Sequence, residues 1–413
     1  MNTVTQPLPD IIADGAAEAA VDAPRRARSV HDVAQVVHAL VQGFASTAAL
    51  RDLQGGSPKA QRDELRRSGL LALTIPSELG GLGAAWQPTL GVVRQMARVD
   101  SSVAHLFAFH HLMLATLRLF GRPEQWRPWH EHTARLDWFW GNALNPLDRR
   151  TVCRRLGGHF EFSGKKSFCS GATDSEMLIA SAFAEDDDRL VVAALPSARS
   201  GITVLQDWDN IGQRQTDSGS VNFERVRIDE DEILRDPGPL TTPLACMRPL
   251  IAQLILVNIY IGIAEGAFED AKHYTLRQAH PWQPGDGIEP DPYVLASFGE
   301  FFVGLEGVRV LGDRAGRMLD EALALGSALG TRDRGEVANA IAVAKVASTR
   351  TGLDICNRLF EVTGARSTHA GLGLDRHWRN LRTHTLHDPV QRKLKELGDW
   401  VLGERYPTPS FYS

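Results

Sequence analysis

LGGHFEFSGKKSFCSGATDS, residues 156–175, reads as strand, turn, strand and then a Phe-Cys-Ser-Gly segment of mostly small residues, in a chain whose two ends are helical. Gly157-Gly158 and Ser163-Gly164 are turn signals, and HFEFSG between them is a short β-type run. The pattern continues through SEMLIASAFA, RLVVAALP, GITVLQDW and SVNFERVRI to about Leu234, with an acidic turn at 186–188. In SVNFERVRI, Val221, Phe223, Val226 and Ile228 come close to alternation with one slip, which a bulge would absorb.

On the N-terminal side, residues 29–137 are helical in period. VHDVAQVVHALVQGFA and SSVAHLFAFHHLMLATLRLF place apolar residues three and four apart, with the Pro- and Gly-rich loop TIPSELGGLGAAW between them. Residues 1–28, rich in Ala, Asp and Pro, read as a flexible arm. On the C-terminal side DPGPLTTP reads as a linker, and helical periodicity returns from about Leu244 to Leu402. The order predicts an α+β, mostly α, fold: an N-terminal helical domain (29–137), a central antiparallel β-domain (138–240) and a C-terminal helical bundle (241–413). No βαβ alternation suggests a parallel sheet.

The 413 residues are 43% hydrophobic and 23% charged, enough for a substantial core. A net charge of -5 without a basic tract argues against nucleic acid as a partner. Cys153, Cys169, Cys246 and Cys356 stand alone, without a CxxC pair, so free thiols in a reducing, cytoplasmic setting are expected. The N-terminus carries acids early and has no apolar core of a signal peptide. The run LIAQLILVNIYIGIA (250–264) is short for a bilayer and contains Gln253 and Asn258. It predicts a helix buried on all sides in a bundle rather than a membrane span.

GGLGAAW has no strand before it and lacks the third glycine of a dinucleotide loop, and no GxxxxGK[ST] occurs. Reducing power must therefore arrive by another route if the chemistry is redox. The histidine clusters at 110–111, 130–132 and 384–387 contain no HExxH, and no metal site is expected. His384 and His387 share a helix face. They are either a structural pair near a helix end or an acid–base pair facing a pocket, and the residues leave both open.

At FCSG the chain resembles the acyl-CoA dehydrogenases, whose matching strand ends in a segment that bonds the flavin ring. PSELGGLG is similar to their N-terminal Pro–Glu–Gly–Gly loop. The likeness is nearest to the dibenzothiophene monooxygenase branch. It runs through SSVAHLFAFHHL, KSFCSGA, DWDNIGQRQTDSGS, IAQLILVNIYIGIAEGA, EVTGARSTH, RHWRNLRTHTLHDPV and YPTPSF. Where dehydrogenases of this family carry a catalytic Glu-Gly-Thr, this chain has His387-Asp388-Pro389. The resemblance thus implies oxygen chemistry in place of α-proton abstraction.

It further implies FMN bound as FMNH2 and supplied by a separate NAD(P)H:flavin reductase. O2 would be co-substrate through a C4a-peroxyflavin, oxygenating a small, organosulfur substrate in a homotetramer. Carried over by position, His105, Asn142, Ser170 and His387 would be catalytic. Asn142, Phe168, Ser170, Trp208, His280 and Arg366 would bind the cofactor, Arg366 from a neighbouring subunit. His105 and Phe109 would line the substrate pocket. Two positions depart from the family. His280 stands where it has Arg in QARPW, and Phe109 replaces a pocket Tyr. Taken singly these residues also read blandly: His105, Phe168 and Trp208 as core, Arg366 as a helix-end contact. Two alternatives stand beside the monooxygenase: an FAD-dependent acyl-CoA dehydrogenase, and a silent flavin or acyl-ligand binding protein.

Overall fold

The computed structural model describes residues 26–278 and 291–413, so most of the arm expected over 1–28 lies outside the described residues. The N-terminal region carries α1 (Val33–Ala45), α2 (Ala48–Gln54), α3 (Lys59–Ser68), α4 (Trp86–Val99), α5 (Ser101–Phe120) and α6 (Pro123–Leu136). Asp100 starts α5 by accepting a hydrogen bond from the Val103 N–H at 2.9 Å, and Arg51 fixes the same carboxylate at 2.6 Å. Pro123 suits the first turn of α6, and Asp137 in the left-handed region ends it. The loop TIPSELGGLGAAW folds upon itself: a Cβ at Gly81 would lie 2.1 Å from the Ile75 carbonyl oxygen.

The central sheet holds β1 (Trp140–Ala143), β2 (Val152–Leu156), β3 (His159–Lys166), β4 (Met177–Ala184), β5 (Leu190–Pro196), β6 (Ile202–Val204) and β7 (Val221–Ile228), in the order β1-β4-β2-β3-β7-β6 with β5 also on β4. The expected antiparallel pairing holds for four ladders, but β1 and β2 both run parallel to β4. Physically, β1 and β4 are separated by the whole β2–β3 hairpin, long enough for a crossover that returns the chain in the same direction. β1 and β2 were missed because WGNA and VCRRL are too short to show a period. The slip foreseen in SVNFERVRI is present: the β3–β7 register shifts between Phe162 and Gly164.

The C-terminal region is built from α7 (Met247–Gln278), α8 (Pro292–Ala324), α9 (Thr331–Thr363), α10 (Asp375–His384) and α11 (Val390–Gly403). Every residue of the run 250–264 is buried, as its composition requires. Its polar side chains are used internally: Arg94 donates to the Asn258 Oδ1 at 2.8 Å. α5 and α7 are long and apolar enough to cross a membrane by composition, but 89% and 100% of those windows are buried inside the protein. They are core helices. The 110–111 histidine pair is structural. His110 receives the Trp140 N–H on Nδ1 (3.1 Å) and donates to the Leu71 carbonyl (2.8 Å), while His111 reaches the Leu70 carbonyl.

Candidate active site

A cavity of about 700 Å³ opens where α5, the sheet, the 205–220 loop, α7, α10 and the C-terminal tail meet. That is an ordinary size for a small-molecule site. His105 and Phe109 enter from α5, Asn142 from β1, Phe168 and Ser170 from the FCSG turn, Trp208 from the following loop, and His387 from the turn after α10. These residues, singled out in the sequence, therefore share one cavity.

The sheet wall is held close by a glycine. A Cβ at Gly141 would meet the Ala172 Cα and the Gly171 carbonyl oxygen, both at 2.8 Å, so only glycine lets β1 lie against the FCSG turn. The Asn142 N–H then donates to the Ser170 carbonyl at 2.9 Å. Phe168 has φ +60°, an unusual conformation for a bulky residue, and keeps 60% of its surface exposed beside the Trp208 ring. Trp208 is anchored by its indole N–H on the Gln213 carbonyl at 2.8 Å. The hydroxyls of Ser170, Ser218 and Thr216 form a line with spacings of 2.7 and 2.8 Å.

Opposite in chemistry is the histidine side. His105 Nδ1 lies 3.0 Å from His384 Nε2, and its ring stacks on Phe109 at 4.0 Å. Burial, then the nearby His387, pushes His105 down to about 3, and burial likewise holds His384 well below its ordinary value. Both rings are thus neutral near pH 7. His105 Nε2 and His384 Nδ1 are buried without a protein partner. Whichever ring donates in the shared bond, the pair keeps one N–H and one bare nitrogen without a protein partner.

His387 is half-exposed, with Nδ1 3.3 Å from Asp388 Oδ1. Asp388 itself is turned away from the cavity. Lys345 Nζ binds its Oδ1 at 2.5 Å, and Gln253 lies at 3.4 Å. Burial alone would raise this carboxyl, but the His387 contact and the Lys345 ammonium outweigh it and hold Asp388 well below the usual carboxylate range. A base for α-proton abstraction needs a free carboxylate in reach of substrate; this one is committed to an ion pair.

One cofactor assignment, Arg366, falls outside the cavity. Arg366 lies on an exposed turn (Ala365–Thr368) and does not reach it, and His280 is outside the described residues. Several cavity residues escaped sequence reasoning, including Arg248, Ser218 and Tyr412. Of the two readings left open for His384 and His387, structural pair or pair facing a pocket, the cavity lining includes both residues. The tail YPTPSFYS folds onto its own chain. Arg334 donates to the Pro407 carbonyl at 2.7 Å, Phe411 packs on Phe120, and Tyr412 stands 5.9 Å from the His387 ring.

The residues suit a flavin: an aromatic pair at the wall, a line of hydroxyls, and two unpartnered imidazole nitrogens. Comparison with known proteins agrees. Acyl-CoA dehydrogenase N-terminal and C-terminal domain families match residues 30–137 and 254–392. A probable FMNH2-dependent monooxygenase SfnC of Pseudomonas putida is 62% identical, over 92% of this chain and 96% of that protein. The solved methanesulfinate monooxygenase MsuC of Pseudomonas fluorescens superposes with a TM-score of 0.90 at 64% identity, covering 91% of this chain and 98% of that one. FMN-bound TdsC of Paenibacillus sp. A11-2 gives a TM-score of 0.86 at 40% identity, over 91% of this chain and 98% of that one.

Proposed function

Because the chain belongs to the acyl-CoA dehydrogenase family, with FMNH2-dependent monooxygenases among its near relatives, we propose that it oxygenates the sulfur of a small organosulfur compound with reduced FMN and O2. The observation that carries this reading is the pairing of Asp388 with Lys345 while His387, His105 and Ser170 face the cavity. The carboxylate a dehydrogenase would need is withdrawn, and hydrogen-bonding groups take its place.

Reduced FMN, when bound, supplies the two electrons that activate O2. Asn142, Ser170, Phe168 and Trp208 would hold its ring system, and His280 with Arg366 of a neighbouring copy would meet its phosphate. The chain's own work is to orient, to shield and to move protons. Asp388, accepting from His387 Nδ1, leaves Nε2 to deliver or receive a proton at the cavity. The neutral His105–His384 pair adds one donor and one acceptor, and the apolar side chains of Phe109, Leu112 and Leu256 exclude water.

A separate NAD(P)H:flavin reductase is the expected source of FMNH2. The four free, buried cysteines support a reducing, cytoplasmic setting. A homotetramer is the assembly the resemblance implies, and the exposed position of Arg366, outside its own cavity, is compatible with a contact to the flavin of another copy. Anaerobic FMNH2 mixed with O2 and an organosulfur compound should yield the S-oxygenated product. Acyl-CoA added to flavin-loaded protein should leave the flavin spectrum unbleached. Bleaching by acyl-CoA, without oxygenation of any sulfur compound, would return the chain to the dehydrogenases. Light scattering should give a tetramer at micromolar concentration; a monomer that binds FMN with full affinity would remove Arg366 from the site.

A further inference from the structure

Arg248, the second residue of α7, is only 6% exposed and lines the cavity on the side formed by α5, α7 and the tail. Its Nε donates to Thr116 Oγ1 at 3.2 Å, and Thr116 is itself tied to the Leu112 carbonyl at 2.7 Å. That contact fixes the plane of the guanidinium and leaves the two terminal nitrogens without a hydrogen-bond partner among the described residues. No carboxylate among the described residues pairs with it either. Burial pushes the group down to about 10, partly offset by Tyr412, so it stays cationic near neutral pH.

This placement is costly in two ways. A buried charge without a partner is among the most unfavourable arrangements a fold can hold. A cation in the first turn also faces the positive end of the helix dipole. What sets Arg248 apart from the other buried arginines is that it alone of them lines the cavity. Arg62 lies among the carbonyls of Gly171 and Asp174 with Asp217 nearby, and Arg334, which gives one N–H to the Pro407 carbonyl and has no carboxylate partner among the described residues, does not open on the cavity. Local violations of this kind mark functional positions, and a bound oxyanion would relieve both costs at once.

We propose that Arg248 is the anion-binding residue of the substrate site, and that the substrate is a small organosulfur oxyanion, an alkanesulfinate, rather than a neutral sulfide. This rests on the sulfur-oxygenating reading above and chooses the substrate class within it. A sulfinate presents two oxygens to the guanidinium fork. Its alkyl group meets Leu112, Ala252 and Leu256, and its sulfur keeps a lone pair. That lone pair forms the new S–O bond as the O–O bond breaks. Sulfur is oxidised by two electrons and reduced FMN gives up two more. Both oxygen atoms are thereby reduced, one retained in the sulfonate and the other leaving as water with the two flavin hydrogens. A neutral sulfide would leave the cation buried and unpaired. The flavin phosphate is the other oxyanion available. The contacts of Arg248 are with Thr116 on α5 and, by charge, with Tyr412 of the tail, whereas Trp208 is anchored on the Gln213 carbonyl of the sheet-side loop.

The test compares the parent protein with Arg248→Met and Arg248→Lys. Sodium methanesulfinate binding is measured by calorimetry with and without FMN, reduced FMN binding is measured anaerobically, and turnover is followed with methanesulfinate and dibenzothiophene. The parent should bind and oxygenate methanesulfinate in preference to dibenzothiophene. Arg248→Met should weaken methanesulfinate about a hundredfold, two charge-assisted hydrogen bonds being lost, with reduced FMN affinity kept within about twofold. Arg248→Lys should fall between, and it decides the matter if the Met variant does not fold. Equal methanesulfinate affinity in all three proteins overturns the proposal, as does preference of the parent for dibenzothiophene. A selective loss of reduced FMN affinity assigns Arg248 to the phosphate and overturns it too. Arg248-dependent binding of methanesulfinate without oxygenation of any sulfur compound would sink the proposed function and leave the anion site standing.

Discussion

His387 and Asp388 are neighbours in sequence with opposite surroundings. The imidazole is half-exposed to the cavity, whereas the carboxylate is 5% exposed and bound by Lys345. A side chain that donates to developing charge typically contributes about 10²–10⁴-fold in rate. His387→Ala should therefore retain FMN binding, divert O2 consumption toward H2O2 and lose most product, which coupled O2 and product measurements would follow. Parent-rate oxygenation by His387→Ala, together with a dead Asp388→Ala, would reverse the roles assigned here. Phe168 makes the same point about single residues. Its type was legible in the sequence, but its positive φ and exposed ring were not.

Lys345 on α9 reaches Asp388 between α10 and α11, so one buried ion pair fastens the turn carrying His387 to the middle of the bundle. Removing one partner of such a pair leaves an uncompensated charge, typically costing about 3–5 kcal/mol. Lys345→Met should lower stability by that order in denaturant unfolding. Lys345→Met combined with Asp388→Asn should recover most of it, which a purely steric role for Lys345 would not allow. The tail is the second element with a local task. Cutting the chain after Ser410 removes Phe411 and Tyr412 from the cavity, while the Arg334 contact to Pro407 stays. The shortened protein should fold and bind FMN but leak more H2O2 per O2 consumed. An unchanged coupling ratio would show that the tail does not shield the reaction.

Across the whole molecule, the neutral buried histidines set a direction for acid stability. Burial pushes His105 and His110 down to about 3 and His130 to about 4, from an ordinary 6.5, and His111 and His384 are also well below it. The unfolded chain binds these protons near pH 6.5 and the folded chain does not. Stability is therefore full above that pH and is lost as pH falls toward 4, by at most about 1.4 kcal/mol per pH unit for each group. Melting temperature should be level above pH 7 and drop steeply between pH 6 and 4.5. A flat profile over that interval would mean that the histidines are charged or solvated in the fold.

The sequence by itself determined the three-part order of helices, sheet and helices, the all-round burial of 250–264, and the cavity residues from His105 to His387. The first two are written in a local pattern, a period or a run, and the cavity residues in motifs whose resemblance to a known family implied their roles. Only the tertiary structure decided that β1 and β2 run parallel to β4, that Asp388 belongs to Lys345, that His384 pairs with His105, and that Arg248 stands in the cavity without a counter-charge. Those facts join residues separated by 43, 279 and 132 positions in the cases of Asp388, His384 and the Thr116 that orients Arg248. A partner that far along the chain leaves no periodic trace, because the contact exists only once the bundle has closed and the alternatives in water have been excluded.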